Sequence, residues 1–457
     1  MALFPSRYTY HCRINKKYSI MNNMLTGAVD IIENDILNRL QGNSSSSDFK
    51  AGTNPLSALV ERGYYYDNPE DEEKLLNELF VNYNKKLKKR PVKVVFCPTY
   101  ICNLNCTYCF EKKLNKNKSK FLGRDELTAA FAAIDNFIKT KYEIGTIELF
   151  GGEPLLPRTK ETVKKIIDYS VENKIRISII TNGVNAGDFI DILYPAKSLI
   201  DMLQITVDGP EIIHNKRRRF YTGRGSFDKI MASIEVLLKN KINTNVRVNV
   251  DMENAGCLTD LYNFVKSRGW LEHPNFKIQL SKVTDHSTSE CIYPISEDYV
   301  LLEKLIEVYD AIPELEKLFK LYMFKPLRHI LDITNGAENV APRYYNCEAN
   351  LIELFIFCPD GYIYTCPESI GNPEVAIGRY LPQFEIFDEK RSKWTTRSIM
   401  SLEKCRNCKF APVCGGGCPY ESMLIHKDNL HPSCENFQQV LDTFFKHRGE
   451  TILQKFL

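Results

Sequence analysis

Cysteine is the residue type best able to support unusual chemistry in this sequence. The chain has 457 residues and 15 cysteines. Its N-terminus lacks the apolar stretch and cleavage site of a signal peptide, so we expect a cytoplasmic protein. Because the cytosol keeps thiols reduced, an odd number of cysteines does not suit a disulfide framework. Clustered thiolates in that compartment bind zinc or iron-sulfur clusters.

Three cysteines lie together after the first strong strand signal, at residues 92–96. They occur in the segment Cys102-Asn-Leu-Asn-Cys106-Thr-Tyr-Cys109. Loops at the carboxyl ends of strands are where α/β folds place their sites. Three thiolates that hold a four-iron cluster leave one iron without a protein ligand. Such an iron could chelate a small molecule.

A second group of cysteines lies near the C-terminus. Taken alone, Cys405, Cys408, Cys414 and Cys418 would also fit a zinc site, since zinc takes four thiolates at such spacings. After Asn346 the periodicity fades while Cys, Gly and Pro become frequent, which predicts a small domain held together by metal rather than by a core. The cysteines of this group are Cys347, Cys366, Cys405, Cys408, Cys414, Cys418 and Cys434.

Apolar β-rich runs alternate with amphipathic segments from Pro91 onward. This alternation predicts an α/β fold with a parallel sheet covered by helices and functional residues at the carboxyl ends of the strands. A closed eight-strand barrel would need two more units before the helical stretch at 297–330, so we predict a partial (β/α)6 barrel of the TIM type. The strands are predicted at 92–96, 146–150, 176–180, 203–207, 245–250 and 277–280, and the helices between them at 125–142, 159–172, 227–239 and 258–267.

The first 90 residues predict an α+β module in front of the barrel. Alternation indicates strands at 7–14 and 18–21, and helical patterns cover 31–40, 56–62 and 70–84. The run at 41–47 is of low complexity and predicts a loop.

The spacing Cys102-x3-Cys106-x2-Cys109 after the first strand resembles that of the radical S-adenosylmethionine enzymes. In that family the open iron binds the amino and carboxylate groups of S-adenosylmethionine, and an electron from the cluster cleaves it to methionine and a 5′-deoxyadenosyl radical. Further family signals follow the later strands in order. The resemblance implies cofactor contacts from Tyr108 beside the adenine, from Gly151, Gly152, Glu153 and Pro154 after the second strand, and from Thr181, Asn182, Asp208 and Asn249 after the next three.

One further candidate, Arg218, lies in the segment His214-Asn-Lys-Arg-Arg218. This segment resembles the HDxxR pattern of a subgroup, with Asn215 where Asp is usual, which argues against an ionic role at that position. Arg218 is a candidate catalytic residue that would act on substrate or cofactor. The arginine run could equally be a solvated face.

The C-terminal cysteines resemble, spacing for spacing, the SPASM domain that follows the barrel in one branch of this family. The resemblance implies two auxiliary [4Fe-4S] clusters, three in all, and disfavours zinc. Cys358 lies in the loop where some relatives supply a fourth ligand and others leave an iron open. By the family arrangement, Cys405, Cys408, Cys414 and Cys434 would hold one auxiliary cluster, and Cys347, Cys366 and Cys418 would give three ligands to the other. We expect Cys97, Cys257 and Cys291 to be small buried side chains.

These signals divide the chain into five regions. We predict an N-terminal module at 1–90, a radical S-adenosylmethionine barrel at 91–296, a helical bridge at 297–345, a SPASM domain at 346–440 and a C-terminal helix at 441–457. The N-terminal module resembles a leader-peptide recognition module, and the alternative is a plain cap on the barrel.

The resemblance implies a maturase that installs a thioether or carbon-carbon crosslink in a ribosomally synthesised precursor peptide. A reducing partner such as ferredoxin or flavodoxin would supply electrons. Sixty Lys and Arg against 57 Asp and Glu leave a net charge of +3, too small for a general affinity for nucleic acid or membrane. The sequence also lacks an apolar run of about 18 residues, so we expect no membrane partner.

Two alternatives remain open at this point. A sulfatase-type maturase would oxidise a Ser or Cys of a protein, but in that branch an Asp base follows the second SPASM cysteine, whereas Cys366 is followed by Pro367 and Glu368. A multi-cluster electron carrier would explain the cysteines without catalysis. A carrier, however, has no use for an open iron or for the Gly-Gly-Glu-Pro loop.

Overall fold

The computed structural model describes residues 3–41, 55–111, 120–284, 296–337, 340–351 and 354–457. Cys291 and residues 42–47 of the predicted low-complexity run lie outside these ranges. No helix among the described residues is long and apolar enough to cross a membrane.

The N-terminal module contains a three-stranded antiparallel sheet, in the order β2-β3-β4, followed by helices. The predicted helix at 31–40 begins later than expected, because residues 31–33 pair with strand β3, Ile20 facing Ile31 and Ser19 facing Ile32. β-Branched side chains favour this pleated pairing over a helical turn. The elements are β1 Phe4–Pro5, β2 Thr9–Arg13, β3 Tyr18–Asn23, β4 Val29–Glu33, α1 Asn34–Gln41, α2 Pro55–Glu61, β5 Tyr65–Tyr66 and α3 Pro69–Leu87.

The middle of the chain forms the predicted partial barrel. Six parallel strands follow one another in sequence order, and their central residues, such as Val94, Ile147 and Leu203, are completely buried. The strands are β6 Val92–Phe96, β7 Ile144–Leu149, β8 Arg176–Thr181, β9 Ile200–Thr206, β10 Thr244–Val250 and β11 Phe276–Lys282. The helices are α4 Arg124–Ala133, extended by a π-helical turn at Ile134–Ile138, then α5 Lys160–Glu172, α6 Ile190–Leu193, α7 Glu211–Arg217, α8 Phe227–Lys239 and α9 Leu258–Ser267.

The C-terminal region continues the same sheet. Its first strand, β12, lies parallel to β6 on the side away from β7, and β13 to β15 add antiparallel strands. Ile356 and Phe357 of β12 are completely buried, so the expectation that metal rather than a core holds this region together is wrong for its first part. The elements are α10 Asp298–Ala311, α11 Pro313–Leu318, α12 Arg328–Thr334, β12 Leu354–Phe357, β13 Tyr362–Tyr364, β14 Gly378–Arg379, β15 Glu385–Ile386, α13 Asp388–Thr395, α14 Glu403–Arg406, α15 Ala411–Cys414, α16 Pro419–His426 and α17 Phe437–Phe456.

The N-terminal module shares its hydrophobic core with the rest of the molecule. The Tyr10 ring packs against Phe410 and Phe445, with centroids 6.2 and 6.1 Å away, and its hydroxyl donates to Asp442 at 2.7 Å. The module therefore cannot be removed without exposing apolar surface of its neighbours.

Candidate functional site

The three barrel cysteines line a cavity of about 370 Å³ at the carboxyl ends of the parallel strands. Their loop follows β6 and is fixed by backbone hydrogen bonds. The Asn105 N–H donates to the carbonyl of Arg219 at 2.7 Å, and the Thr107 N–H donates to that of Arg217 at 2.9 Å. Cys102, Cys106 and Cys109 therefore face the place where an α/β fold binds its ligand.

The loop after β7 crosses this cysteine loop at Gly151 and Gly152. Both residues have positive φ, 101° and 25°. A Cβ on Gly151 would lie 2.3 Å from the Sγ of Cys97, and one on Gly152 would lie 2.4 Å from the carbonyl oxygen of Ile101. Only glycine permits this close crossing, which brings both glycines to the cavity wall.

Glu153 orients the neighbouring loops. Its carboxylate accepts hydrogen bonds from the Leu155 N–H at 2.8 Å, the Thr181 hydroxyl at 2.6 Å and the Asn182 N–H at 2.7 Å. The side chain is fully buried and engaged with the protein, and it is not among the described residues that line the cavity. In this structure the Glu153 carboxylate fixes Thr181 and Asn182, and its predicted contact with the cofactor stays a prediction. Pro154 likewise turns inward, and its carbonyl accepts a bond from the Thr159 hydroxyl at 2.6 Å.

The hydroxyl of Tyr108 joins the other predicted residues. It donates to the Asp208 carboxylate at 2.5 Å and accepts from Arg218 Nη1 at 2.7 Å and from Asn249 Nδ2 at 3.0 Å. Asp208 also accepts from the Asn249 N–H at 3.2 Å. Residues from the cysteine loop and from the ends of β9 and β10 thus form one network beneath the cavity.

Arg218, a member of this network, has an unused donor. The residue lines the cavity and is 6% exposed, and its Nε has no hydrogen-bond partner among the described residues. A buried donor without a partner is costly. A bound group with acceptor oxygens would satisfy it.

Arg217, which the sequence analysis passed over, has a different role. It ends α7 and is completely buried, where it pairs with Asp208 at 3.4 Å and with Asp251 at 2.8 Å. Its guanidinium carbon also lies 4.9 Å from the centre of the Tyr108 ring. Arg217 therefore stabilises Asp208 and Tyr108 of the network. No sequence signal distinguishes it from Arg218.

Asn215 has a structural role rather than an ionic one, as its departure from the usual Asp suggested. Its side-chain oxygen accepts from the N–H of Phe227, the first residue of α8, at 3.0 Å. His214 next to it is fully buried, and burial lowers its pKa well below the usual value, so the ring is neutral.

Burial also shapes the chemistry of the barrel thiols. It raises the pKa of the Cys102 thiol well above its usual value, and it raises that of Cys109 to about 12. Free thiols here would be protonated, whereas metal coordination deprotonates a thiol outright. Three thiols that line one cavity, together with an unused arginine donor, fit a cluster with one open iron and a chelating ligand.

The cavity is also lined by charged residues that the sequence analysis did not predict as site residues. They include Glu111, Arg247 and Glu368. Burial and the nearby charge of Glu153 raise the pKa of Glu111 to about 7. The position of Glu111, two residues after Cys109, was the only available signal.

The C-terminal cysteines fall into two groups. Electrostatic interactions couple Cys405 to Cys408, Cys414 and Cys434, and couple Cys366 to Cys347 and Cys418. Among the described residues, no three such side chains lie close enough to share a single metal ion. A cluster does not require this, since each thiolate binds its own iron.

Cys358 belongs to neither group in this structure. Its thiol interacts with the thiol of Cys97 and with the hydroxyl of Tyr100, and all three side chains are buried in one apolar cluster. The cause is the pairing of β12 with β6, which sets Phe357 beside Phe96 and so brings Cys358 beside Cys97. Cys97 is buried as expected, whereas Cys257 is only partly buried.

A three-thiol loop above a partial barrel, with glycines that open a cavity beside it, defines an enzyme built around an iron-sulfur cluster and a chelated cofactor. Residues 96–265 match the Radical SAM superfamily, whose members use S-adenosylmethionine and a four-iron cluster, so the chain contains a radical SAM domain.

Similarity extends beyond that domain. The cysteine-type anaerobic sulfatase-maturating enzyme of Clostridium novyi is 25% identical over 353 residues, which are 75% of this chain and 91% of that protein. The structure of anSMEcpe with bound AdoMet aligns with a TM-score of 0.60 and 22% identity over 80% of this chain and 99% of that one. The structure of Streptococcus suis SuiB bound to precursor peptide SuiA aligns with a TM-score of 0.53 and 17% identity over 94% and 98% of the two chains. The chain is homologous to anaerobic sulfatase maturases and shares its fold with both solved enzymes.

Proposed function

We propose that the protein is a radical S-adenosylmethionine maturase that installs a thioether or carbon-carbon crosslink in a ribosomally synthesised precursor peptide. When bound to the cluster, S-adenosylmethionine supplies a radical able to abstract hydrogen from unactivated carbon. The observation that carries the proposal is the composition of the cavity. The barrel cysteines and residues Pro367 and Glu368, which follow Cys366, line the same space, so a peptide side chain there would lie between the barrel site and the auxiliary region.

The residues of the barrel divide the work of binding. Cys102, Cys106 and Cys109 would hold the cluster. Tyr108 and Asn249 fix one wall of the cavity through the Asp208 network, and Arg218 offers its free Nε to an acceptor of the cofactor or substrate. Gly151 and Gly152 leave room for backbone contacts, and Thr181 and Asn182, oriented by Glu153, also line the cavity.

The C-terminal thiols would hold two auxiliary [4Fe-4S] clusters, three in all. Cys405, Cys408, Cys414 and Cys434 form a complete ligand set, while Cys347, Cys366 and Cys418 supply three ligands. The position of Cys358 beside Cys97 supports an open fourth iron at the second site. A ferredoxin or flavodoxin would provide the electrons.

A groove in the N-terminal module suits the leader segment of such a precursor. A cavity of about 470 Å³ lies along β4 and α1, with apolar walls that include Met21, Ile31 and Ile36. Within the described residues β4 is an edge strand of its sheet, and an extended peptide could add to it by backbone hydrogen bonds. The likeness to SuiB, bound to its precursor peptide, covers 94% of this chain and supports leader recognition over a plain cap.

The groove is tested with point variants, because removing the module would expose the shared core. We expect Ile31→Ser to weaken binding of a leader-bearing precursor about tenfold while leaving cleavage of S-adenosylmethionine unchanged. Val81→Ser is the matched control, since Val81 is an exposed apolar residue of the same module outside the groove. Equal affinity of both variants for the precursor would favour the cap.

A sulfatase-type maturase is the second candidate. The names of the sequence relatives favour it, and so does the presence of the Glu368 carboxylate in the cavity, two residues from Cys366 rather than at the following position. An electron carrier fits less well, since the chain is a radical S-adenosylmethionine enzyme.

One experiment separates the two maturases. The reconstituted enzyme is incubated with S-adenosylmethionine, reductant and a peptide encoded beside its gene, or with a sulfatase-derived peptide. A crosslink removes two hydrogens, prevents backbone fragmentation within the ring and does not react with hydrazides. Oxidation of Ser or Cys produces an aldehyde that a hydrazide captures. Hydrazide-reactive product from the sulfatase peptide alone would overturn the crosslinking proposal.

A further inference from the structure

Arg397, between α13 and α14, is a completely buried cation, with 1% of its surface exposed. Its guanidinium donates to four backbone carbonyls, those of Asn429 at 2.8 Å, Gly417 at 2.8 Å, Gly416 at 2.7 Å and His431 at 2.9 Å. Within the described part of the chain, no carboxylate lies at ion-pair distance from it. All of its observed partners are neutral.

The groups that interact electrostatically with this guanidinium include thiols. Burial lowers the pKa of Arg397, and four cysteines oppose that effect. Cys405 and Cys414 belong to one auxiliary group, and Cys347 and Cys418 belong to the other. Arg397 therefore interacts with thiols of both groups.

The same side chain holds the turn that separates the groups. Gly415, Gly416 and Gly417 have φ values of 73°, 87° and 73° and connect Cys414 to Cys418. The carbonyls of the last two glycines accept from Arg397. A Cβ on Gly416 would lie 3.5 Å from Nη1 of Arg397 and 4.0 Å from Sγ of Cys405, so the guanidinium and the thiol flank the same glycine.

A buried guanidinium surrounded only by neutral groups is costly, because carbonyl dipoles replace just part of its hydration. Protonated thiols would not compensate its charge, whereas iron-bound thiolates would. We propose that Arg397 is a positioning residue shared by both auxiliary clusters. It fixes the turn between Cys414 and Cys418, and it places one positive charge between two sets of iron-bound thiolates, which raises the reduction potentials of both clusters. This inference rests on the proposed assignment of the auxiliary clusters.

The test uses the full chain, reconstituted anaerobically, with Cys102, Cys106 and Cys109 changed to Ala so that only auxiliary iron remains. Iron content and potentials are measured by metal analysis and by redox titration followed with paramagnetic resonance. Arg397→Gln removes the charge, and Arg397→Lys keeps it. Arg406→Gln is the control, because Arg406 is adjacent to Cys405 but exposed.

We expect the Arg397→Gln variant to bind an electron about tenfold less favourably at both clusters, which corresponds to about 59 mV per cluster. The Arg397→Lys variant should stay within about threefold of the parent, and so should Arg406→Gln, because solvent screens a surface charge. If Arg397→Gln fails to take up iron while Arg397→Lys takes it up, the result also supports a role for the positive charge.

Three results would overturn the proposal. The first is full iron content with unchanged reduction potentials in Arg397→Gln. The second is a shift in the reduction potential of only one cluster. The third is loss of iron from both Arg397→Gln and Arg397→Lys in a chain that remains folded, which would mean that Arg397 only stabilises the turn. If the parent without the barrel cysteines holds far fewer than about eight irons, the assignment of the auxiliary clusters fails instead.

Discussion

The barrel thiols and the C-terminal thiols differ in what surrounds them more than in their number. The barrel group faces a cavity of about 370 Å³ and an arginine, Arg218, whose Nε has no partner among the described residues. Thiols of the C-terminal groups interact with an arginine, Arg397, that is bonded to four carbonyls of its own chain. The first environment offers an unused donor to a ligand, whereas the arginine of the second is hydrogen-bonded to its own chain. The comparison teaches that the neighbours of a thiol group indicate its role better than its spacing.

The largest expected effect separates the two regions directly. Changing Cys102, Cys106 and Cys109 to Ala should remove about four of about twelve irons and abolish cleavage of S-adenosylmethionine. Changing Cys405, Cys408 and Cys414 to Ala should also lower the iron content but leave slow cleavage. Metal analysis and 5′-deoxyadenosine formation measure both effects. Product from the barrel triple variant would mean that the active cluster lies elsewhere.

A second comparison concerns two adjacent arginines. Arg218→Gln should slow cleavage of S-adenosylmethionine about 10- to 100-fold, because a hydrogen bond from a charged donor contributes about 1.5–3 kcal/mol. Arg219 is exposed, so Arg219→Gln should change the rate less than twofold. Cleavage rates at several cofactor concentrations separate weaker binding from slower turnover. Similar losses in the two variants would argue against a special role for Arg218.

The close crossing at Gly151 predicts a conditional effect. Gly151→Ala should destabilise the fold by about 1–3 kcal/mol through its left-handed backbone, and more through the contact with the Sγ of Cys97 at 2.3 Å. Adding Cys97→Ala should recover the second part only. Urea unfolding of the single and double variants measures this coupling. Additive losses in the double variant would show that the crossing is not tight.

The smallest effect is expected at Cys358. Because its thiol lies beside Cys97 and Tyr100, Cys358→Ala should retain about twelve irons and lose only about 1 kcal/mol of stability. Iron content and paramagnetic resonance spectra are the measurements. A loss of about four irons would make Cys358 the fourth ligand of the auxiliary cluster held by Cys347, Cys366 and Cys418. That cluster would then have no open iron.

Much of the barrel could be predicted because its signals are local. Each of the six strands is a short apolar run between helical patterns, and all six are confirmed with boundaries shifted by a few residues. The N-terminal sheet was harder. Residues 31–33 fit a helical pattern on their own, and they form a strand because β3 lies beside them.

The candidate site shows the same limit. Its cysteines and glycines could be singled out because close spacing along the chain keeps them close in space. Arg217 and Arg218 cannot be ranked from the sequence, since they are neighbours of the same type. The end of α7 turns one toward Asp208 and Asp251 and the other toward the cavity.

The sequence by itself indicated the radical S-adenosylmethionine domain, the partial barrel and the cysteines and glycines that line its cavity, because these depend on short patterns along the chain. Only the tertiary structure decided where Cys358 lies, which groups surround Arg397 and that Glu368 reaches the cavity. Those facts depend on pairings such as β6 with β12, between segments more than 250 residues apart. Such pairings depend on the packing of the whole chain, and no local pattern encodes them.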